Sequence, residues 1–399
     1  MKKILCPFCF REFLVKDMLW RCVNLSCKSP DDGVAGEFDE IFQKYLNEIN
    51  QGQVERKRYG HAFYTSHNIE GDTAPCDRCG TRSAVRLCPN CHNTLPRSVD
   101  KVSSCHVAVI GAPHVGKSHF IATLIKLFQK DAFARTYFDF NVMDADDSTT
   151  SRFREEFFNP IFVQSKRLDK SQQFDRKPLI FRLKKQNSSS FLKRLNKKKS
   201  IFLVFYDTAG ENFDSEEALG LYARYVKHSS AIILLVDPLQ IPSVRSKVEA
   251  AGIKNLPTLA PTSEPAHIVS RVVRQYEAFG ILKAGGKIST PLAVVFTKAD
   301  ILRDANILPP GSSIYSGQKH QGVFNKDVAK AIHDEVQALI AGWQGGELDS
   351  LLNNYFKTYS YFSMSALGQS PDASGNLTNV SPFRTEDSFL WALNQINFL

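Results

Sequence analysis

One short stretch of the sequence decides the fold: residues 107–118 read VAVIGAPHVGKS. The apolar run Val107–Ile110 predicts a buried β-strand, and the apolar residues after Ser118 predict a helix. Between them stands the pattern G-x-x-x-x-G-K-S, whose glycines let backbone N–H groups approach a phosphate closely. The stretch therefore predicts a phosphate-binding loop that leads into a helix.

The residues of this loop have distinct expected roles. Lys117 should reach the β- and γ-phosphates of a nucleotide, and Ser118 should coordinate Mg²⁺. The nucleotide-binding residues predicted in this stretch are Gly111, Val115, Gly116, Lys117, Ser118 and His119.

A second motif follows the apolar run 201–205, where the sequence reads DTAG at residues 207–210. Asp207 is expected to hold Mg²⁺ through water, and Gly210 to donate its N–H to the γ-phosphate. The apolar run 178–183 lies too close upstream for a crossover, so the two runs should form an antiparallel hairpin. Basic residues crowd its loop at 193–199, and we interpret them as a solvated surface rather than a phosphate-binding patch.

Two later motifs predict which base is bound. After the apolar run 291–296 comes Thr297-Lys298-Ala299-Asp300, in which the carboxylate can accept both the ring N–H and the exocyclic amine of guanine. Adenine offers no such pair of donors, and the stem of Lys298 would pack across the base. A further strand, from Tyr359, ends in Ser365-Ala366, where a backbone N–H can meet the guanine carbonyl.

Eight of the nine cysteines form closely spaced pairs ahead of these motifs: Cys6/Cys9, Cys22/Cys27, Cys76/Cys79 and Cys88/Cys91. These spacings are typical of structural zinc sites, so we expect two Zn²⁺ ions, each held by four thiolates. Sequential pairing is the simplest arrangement, and an interleaved, cross-braced one remains open. A helix with apolar residues between Phe38 and Ile49 should separate two ribbons, with Pro7 and Gly80 in the metal-binding turns. Cys105 is more easily explained as a core residue.

Composition fits one large domain and one small module in a chain of 399 residues with 43% hydrophobic residues. We expect a zinc-ribbon module at 1–99 and a nucleotide-binding domain at 102–399. No apolar run is long enough to span a membrane, and the first residues lack an apolar export signal, so the expected location is the cytoplasm. The net charge of +9 gives weak support for an anionic partner such as nucleic acid.

From Val107 to Leu399, the order of motifs resembles the translation-factor-related P-loop GTPases, the class that contains Ras-like proteins. The resemblance implies an α/β fold in three layers with a mixed, mostly parallel sheet, and GTP or GDP with Mg²⁺ as cofactors. A cysteine ribbon before such a domain is similar to bacterial double-GTPase-type proteins associated with conflict or defence gene clusters.

The sequence departs from the Ras-like pattern after DTAG, where Glu211 replaces a water-orienting glutamine. Its carboxylate should be repelled by the γ-phosphate, which predicts slow hydrolysis by the catalytic set Lys117, Asp207, Gly210 and Glu211. Switch I should lie between Thr136 and Pro178. Ser171 is the better candidate for its Mg²⁺ ligand, with Thr149 and Thr150 as competitors.

These motifs together predict a regulatory GTPase whose GTP-bound form is recognised by a protein partner, with the ribbons as the docking module. Two alternatives stay open: a scaffold that binds GTP with negligible hydrolysis, and a zinc-ribbon nucleic-acid binder regulated by GTP. The basic residues Arg78, Arg82, Arg86, Arg97 and Lys101 would serve the last of these.

Overall fold

The computed structural model describes residues 2–50, 52–66, 69–129, 140–168, 177–185, 200–205, 223–254, 256–259, 264–316, 320, 324–344, 346–372 and 374–399. The basic run 193–199 lies outside these residues. Among the described helices, none has both the length and the apolar character needed to cross a membrane.

The cysteine-rich N-terminal part consists of short strands around one helix. In chain order these are β1 (Lys3–Leu5), β2 (Glu12–Leu14), β3 (Leu19–Arg21), β4 (Glu37–Phe38), α1 (Glu40–Asn50), β5 (Arg58–Tyr59), β6 (Ala62–Phe63), β7 (Ala74–Pro75), β8 (Arg82–Ser83) and β9 (Arg86–Leu87). The strand β3 lies between β6 and β9, while β1/β2, β4/β5 and β7/β8 form separate antiparallel pairs. The helix α1 confirms the helix predicted between Phe38 and Ile49.

The remainder of the chain forms an α/β domain. Its first half contains β10 (Ser103–Gly111), α2 (Lys117–Gln129), β11 (Phe140–Asp144), α3 (Asp147–Arg152), a π-helix (Phe153–Val163), β12 (Leu179–Lys185), β13 (Ser200–Phe205) and β14 (Ala231–Val236). Its second half contains α4 (Pro242–Ala250), α5 (Pro265–Ala278), β15 (Leu292–Phe296), α6 (Ala299–Asp304), α7 (Ser313–Ser316), α8 (Lys326–Gln344), α9 (Glu347–Tyr355), β16 (Tyr359–Ser363) and α10 (Thr385–Gln395).

A seven-stranded sheet in the order β11-β12-β13-β10-β14-β15-β16 organises this domain. The five strands from β13 to β16 are parallel, and β12 pairs antiparallel with β13, with Leu179 opposite Phe205. The predicted hairpin and the predicted mixed, mostly parallel sheet are therefore confirmed. Because β10, β14, β15 and β16 run parallel, their carboxyl ends meet at one edge of the sheet.

The central strands are apolar because both faces of the sheet are covered. All six residues of β14 and all five of β15 are buried. Cys105 lies inside β10 and is fully buried, as expected of a core residue.

One edge of the sheet was not predicted from the sequence. The strand β11 pairs antiparallel with β12 and adds an outer strand. Its sequence, FNVMD, is short and contains the polar residues Asn141 and Asp144, so the pattern is too weak to predict a strand. In the structure, Phe140 is the buried residue of this strand.

Candidate functional site

The phosphate-binding loop joins β10 to α2 at the carboxyl edge of the sheet. A Cβ on Gly111 would lie 2.5 Å from the carbonyl oxygen of Leu235 in β14 and 2.9 Å from Cγ1 of Val115. Gly116 has a φ of 97°, a conformation that side chains disfavour. The first glycine is thus required by close packing on the neighbouring strand, and the second by its backbone conformation.

The side chain of Lys117 folds into this loop. Its Nζ donates hydrogen bonds to the carbonyl oxygens of Gly111 at 3.2 Å and Ala112 at 3.0 Å. The residue is only 7% exposed, so its charge is held at the loop rather than in bulk water. Ser118 follows directly at the start of α2, as the predicted Mg²⁺ ligand should.

His119 uses its side chain for a contact that the sequence did not indicate. Its Nε2 accepts a hydrogen bond from the backbone N–H of Leu168 at 3.0 Å. Burial, with a smaller contribution from Arg167, lowers the pKa of His119 to about 4, so the ring is neutral at pH 7 and can accept. The imidazole therefore ties the start of α2 to a segment inside the range 136–178 that is predicted to contain switch I.

The same segment is also bound to the C-terminal loops. Arg167 donates its N–H to the carbonyl of Gly375 at 2.8 Å, and Leu377 donates its N–H to the carbonyl of Ser165 at 2.7 Å. This part of the range predicted to contain switch I is thus fixed at several points.

The predicted guanine motif lies at the carboxyl end of β15. Thr297 donates both its N–H and its hydroxyl to the carbonyl of Val236, at 2.9 and 3.1 Å. Lys298 has a φ of 55°, and its Nζ contacts Oδ2 of Asp237 at 2.5 Å. Asp237 also accepts the N–H of Leu239 at 3.0 Å. Sequence reasoning missed Asp237 as the residue that positions Lys298, although it directly follows the apolar strand β14.

Asp300 lies beside the second predicted base motif. It is 4% exposed, burial raises its pKa, and a hydrogen bond from Ser365 opposes that rise. Ala299 donates its N–H to the carbonyl of Met364 at 3.1 Å, while the Ser365 hydroxyl accepts the N–H of Gly368 at 2.8 Å. The loops after β15 and β16, with Ala366 next in the chain, are thereby joined into one site.

Several predicted residues lie outside the described part of the chain: Ser171, Asp207, Gly210 and Glu211. The two competitors of Ser171 are described. The Thr149 hydroxyl accepts the N–H of Ile180 at 3.1 Å, and the Thr150 hydroxyl donates to the carbonyl of Asp146 at 3.2 Å. The Thr149 hydroxyl thus joins α3 to β12, and the Thr150 hydroxyl bonds back to the residue that caps α3.

The cysteines form two clusters, but the sequential pairing is wrong. The first cluster joins the first and last pairs and the second joins the inner pairs: Cys6, Cys9, Cys88 and Cys91, then Cys22, Cys27, Cys76 and Cys79. The pairing is nested rather than interleaved, because β3 pairs with β9 and brings the two ends of the module together. Spacing within each pair carries no information about this long-range contact.

The sulfur positions fit Zn²⁺. Within each cluster, all sulfurs lie within 4.8 Å of one another, and facing sulfurs are 3.7 Å apart in Cys6/Cys91 and 3.6 Å apart in Cys22/Cys79. A tetrahedron with metal–sulfur bonds of about 2.3 Å has sulfurs about 3.8 Å apart. Each cluster can thus hold one structural ion.

Three of the cysteine pairs end in the same turn. The residue after the second cysteine has positive φ in each: 55° in Phe10, 71° in Gly80 and 52° in His92. Gly80 was predicted in such a turn. The ring of His92 is fixed by Asp39, whose carboxylate lies 2.8 Å from Nδ1.

Comparisons with known proteins find a family model and a relative that match this sequence. A sequence model for Double-GTPase 2 matches residues 105–342. A relative in Mycolicibacterium smegmatis, SaeC, is 25% identical over 350 residues, covering 82% of this chain and 84% of its own, and its name proposes ESX-1 scaffolding and assembly.

Two solved structures of Sup35 are also similar in part. The complex with GMPPNP has a TM-score of 0.24 at 12% identity, over 67% of this chain and 39% of that one. The complex with GDP has a TM-score of 0.25 at 13% identity, over 71% and 44%. This chain thus spans less than half of either structure. The match of the sequence model, which covers more than half of the chain including the phosphate-binding loop and the guanine motif, shows that the chain belongs to the Double-GTPase 2 family.

Proposed function

We propose that this protein is a GTP-binding regulatory switch that hydrolyses GTP slowly, with two Zn²⁺ ions in a module that docks a protein partner. The buried carboxylate of Asp300 is the observation that carries the nucleotide part. It lies next to Ser365 where two parallel strands end, on the same edge as the phosphate-binding loop. A carboxylate in that position accepts two donors from guanine, while Lys117 and Ser118 hold the phosphates and Mg²⁺.

Replacing Asp300 with asparagine tests this proposal. The substitution keeps the shape but exchanges one acceptor for a donor, so the guanine amine would face an amide N–H. A buried mismatch of this kind costs about 1–3 kcal/mol, so affinity for GTP should fall about 30-fold at the middle of that range. Xanthosine triphosphate has a carbonyl in place of the amine and should bind the variant better than the wild type.

Calorimetry measures the affinities of the wild type and of Asp300→Asn for GTP and for xanthosine triphosphate. Equal losses for the two nucleotides, or a wild-type preference for ATP, would refute the assignment of the guanine motif.

A scaffold that binds GTP with negligible hydrolysis is the second candidate. The name of the SaeC relative favours it, and so does Glu211 in place of glutamine. Single-turnover hydrolysis separates the two candidates, because a switch must convert its bound GTP to GDP, whereas the scaffold would leave the GTP intact.

The surface of the cysteine module supports a protein partner rather than nucleic acid. Its basic residues are largely neutralised: Arg78 lies 2.9 Å from Glu37, Arg82 3.5 Å from Glu70, and Lys101 3.2 Å from Asp72. Arg86 contacts both Asp72 and Asp100. Leu25 is 92% exposed, and Val23 and Val34 are also exposed, which suits an apolar contact. Strong, salt-dependent binding to nonspecific RNA or DNA would favour the nucleic-acid alternative instead.

The domain boundary near residues 99–102 and a cytoplasmic location complete the proposal. Limited proteolysis and fractionation of cells test these two points.

A further inference from the structure

The two cysteine clusters differ in what they pack against. Cys6, Cys9, Cys88 and Cys91 belong to the same continuous core as the strands of the large sheet. The buried cysteines of the second cluster share a separate small core with Trp20, Phe63 and Ala74. Of the two clusters, the first is therefore the one in close contact with the GTPase domain.

This contact is made in part by the helical segment 223–227, which contains the first described residues after the predicted DTAG motif. The guanidinium of Arg224 donates to the carbonyl of Cys9 at 3.1 Å and to Oε1 of Glu48, in α1, at 2.7 Å. One side chain of the GTPase domain thus holds both the backbone of a metal ligand and the helix of the cysteine module.

An aromatic contact lies beside this ion pair. The ring of Phe10 packs 5.2 Å from the ring of Tyr225 and 5.2 Å from that of His106 in β10. Tyr225 in turn donates its hydroxyl to the carbonyl of Val107 at 2.7 Å. The metal-binding turn therefore touches both the segment after DTAG and the strand that leads to the phosphate-binding loop.

The residue at position 10 carries a large side chain on a backbone conformation that favours glycine. The equivalent position in the second cluster is Gly80, where a Cβ would meet nothing within 4 Å. In the first cluster a phenylalanine adopts the same left-handed conformation, which glycine would adopt without strain, and its ring is fully buried. The packing of the Phe10 ring against Tyr225 and His106 of the GTPase domain thus compensates for this backbone strain.

The contact also contains a buried polar side chain, the imidazole of His106. His106 is fully buried, yet neither of its ring nitrogens has a hydrogen-bond partner among the described residues. Burying polar atoms without partners is costly, so this contact is less stable than its apolar packing alone would make it.

We propose that the first cysteine cluster reads the nucleotide state of the GTPase domain through Arg224 and Phe10. The inference rests on the proposed function, because it needs GTP and GDP to bind. In this proposal, exchange of the bound nucleotide shifts the segment 223–227. This shift changes the contacts of Arg224 with Cys9 and of Tyr225 with Phe10. Since coupling is reciprocal, docking of the module also shifts the relative affinity for GTP and GDP.

Site-resolved cysteine labelling tests this proposal. The zinc-loaded full-length protein is treated with a chelator and N-ethylmaleimide, in GDP or a non-hydrolysable GTP analogue, and labelling of each cysteine is followed by mass spectrometry. Labelling of Cys88 and Cys91 should differ between the two nucleotides by at least about fivefold, the lower end of typical couplings. Labelling of Cys22 and Cys76 should not change and serves as the internal control.

The variant Arg224→Gln should abolish the nucleotide dependence at the first cluster. Lys227→Gln removes the same charge from the same segment, and because Lys227 is exposed and contacts the ring of Phe279 instead, this control should retain it. If Arg224→Gln also exposes the second cluster, and so fails to fold, Glu48→Gln breaks the ion pair from the other side and should have the same effect.

Guanine-nucleotide binding is measured on the same samples. If the wild type binds both nucleotides but its first cluster is labelled equally in each, the inference is wrong and the proposed function stands. Retention of the difference in both Arg224→Gln and Glu48→Gln also overturns it. Failure of the wild type to bind guanine nucleotides would refute the proposed function and the inference with it.

Discussion

The contact between Lys298 and Asp237 allows a quantitative prediction about nucleotide affinity. Replacing Asp237 with asparagine removes the negative charge that faces the ammonium at 2.5 Å. Asparagine can still accept the N–H of Leu239, since asparagine and aspartate are equivalent in such capping contacts. The substitution therefore isolates the charge from the local backbone structure.

The expected magnitude follows from the exposure of the pair. The side chain of Asp237 is 6% exposed and that of Lys298 is 26% exposed, so the pair is only partly screened by water. Exposed pairs contribute about 0.2–1 kcal/mol, and a pair as buried as this one should reach the upper end, about 1 kcal/mol. If that energy fixes Lys298 across the base, affinity for nucleotide should fall about fivefold.

Titration with fluorescent GDP, and competition with GTP and inosine triphosphate, measures the loss. It should be equal for all three, because Lys298 is expected to pack across the base rather than read its edge. Asp237→Ala removes the contact with Leu239 as well and should lose more.

A double-mutant cycle with Lys298→Met decides whether the pair acts as described. The two substitutions should be strongly non-additive, because each alone breaks the same contact. Additive losses, or unchanged affinity in Asp237→Asn, would refute the reasoning.

Three further predictions concern the metal ions and the phosphates. The purified protein should contain two zinc ions per chain, and removing them should unfold residues 1–99, because structural zinc contributes on the order of 10 kcal/mol in small domains. Metal analysis and hydrogen exchange measure both effects, and a module that stays folded without metal would contradict this prediction. Lys117→Ala should abolish tight triphosphate binding, because its ammonium is the charge held at the loop, and unchanged affinity by calorimetry would exclude the phosphate-binding assignment. Glu211→Gln should raise single-turnover hydrolysis of GTP by relieving repulsion of the γ-phosphate, whereas a clear drop would identify Glu211 as the working base.

Local sequence patterns were sufficient for the central sheet and for the order of the motifs. A fully apolar run such as 231–236 is typical of a strand that is buried on both faces of a sheet. A glycine-rich loop between a strand and a helix is typical of a phosphate-binding site. The hairpin of β12 and β13 followed from the short connection between them, and α1 from apolar residues at helical spacing.

Contacts between residues far apart in the chain required the tertiary structure. The strand β11 has too little apolar alternation to be recognised, and it exists because β12 offers an edge to pair with. Asp237 became a candidate site residue only when β14 and β15 were placed side by side, which brings it to Lys298.

The cysteines illustrate the same division. Their short spacings identified the metal ligands, because two thiolates must reach one ion from a tight turn. Which pairs share an ion depends on the packing of β3 against β9, and this contact gave the nested arrangement in place of the sequential one. The sequence by itself determined the chemistry of each site, which depends on neighbours in the chain, and only the tertiary structure decided which sites touch, because that depends on strand pairing and core packing.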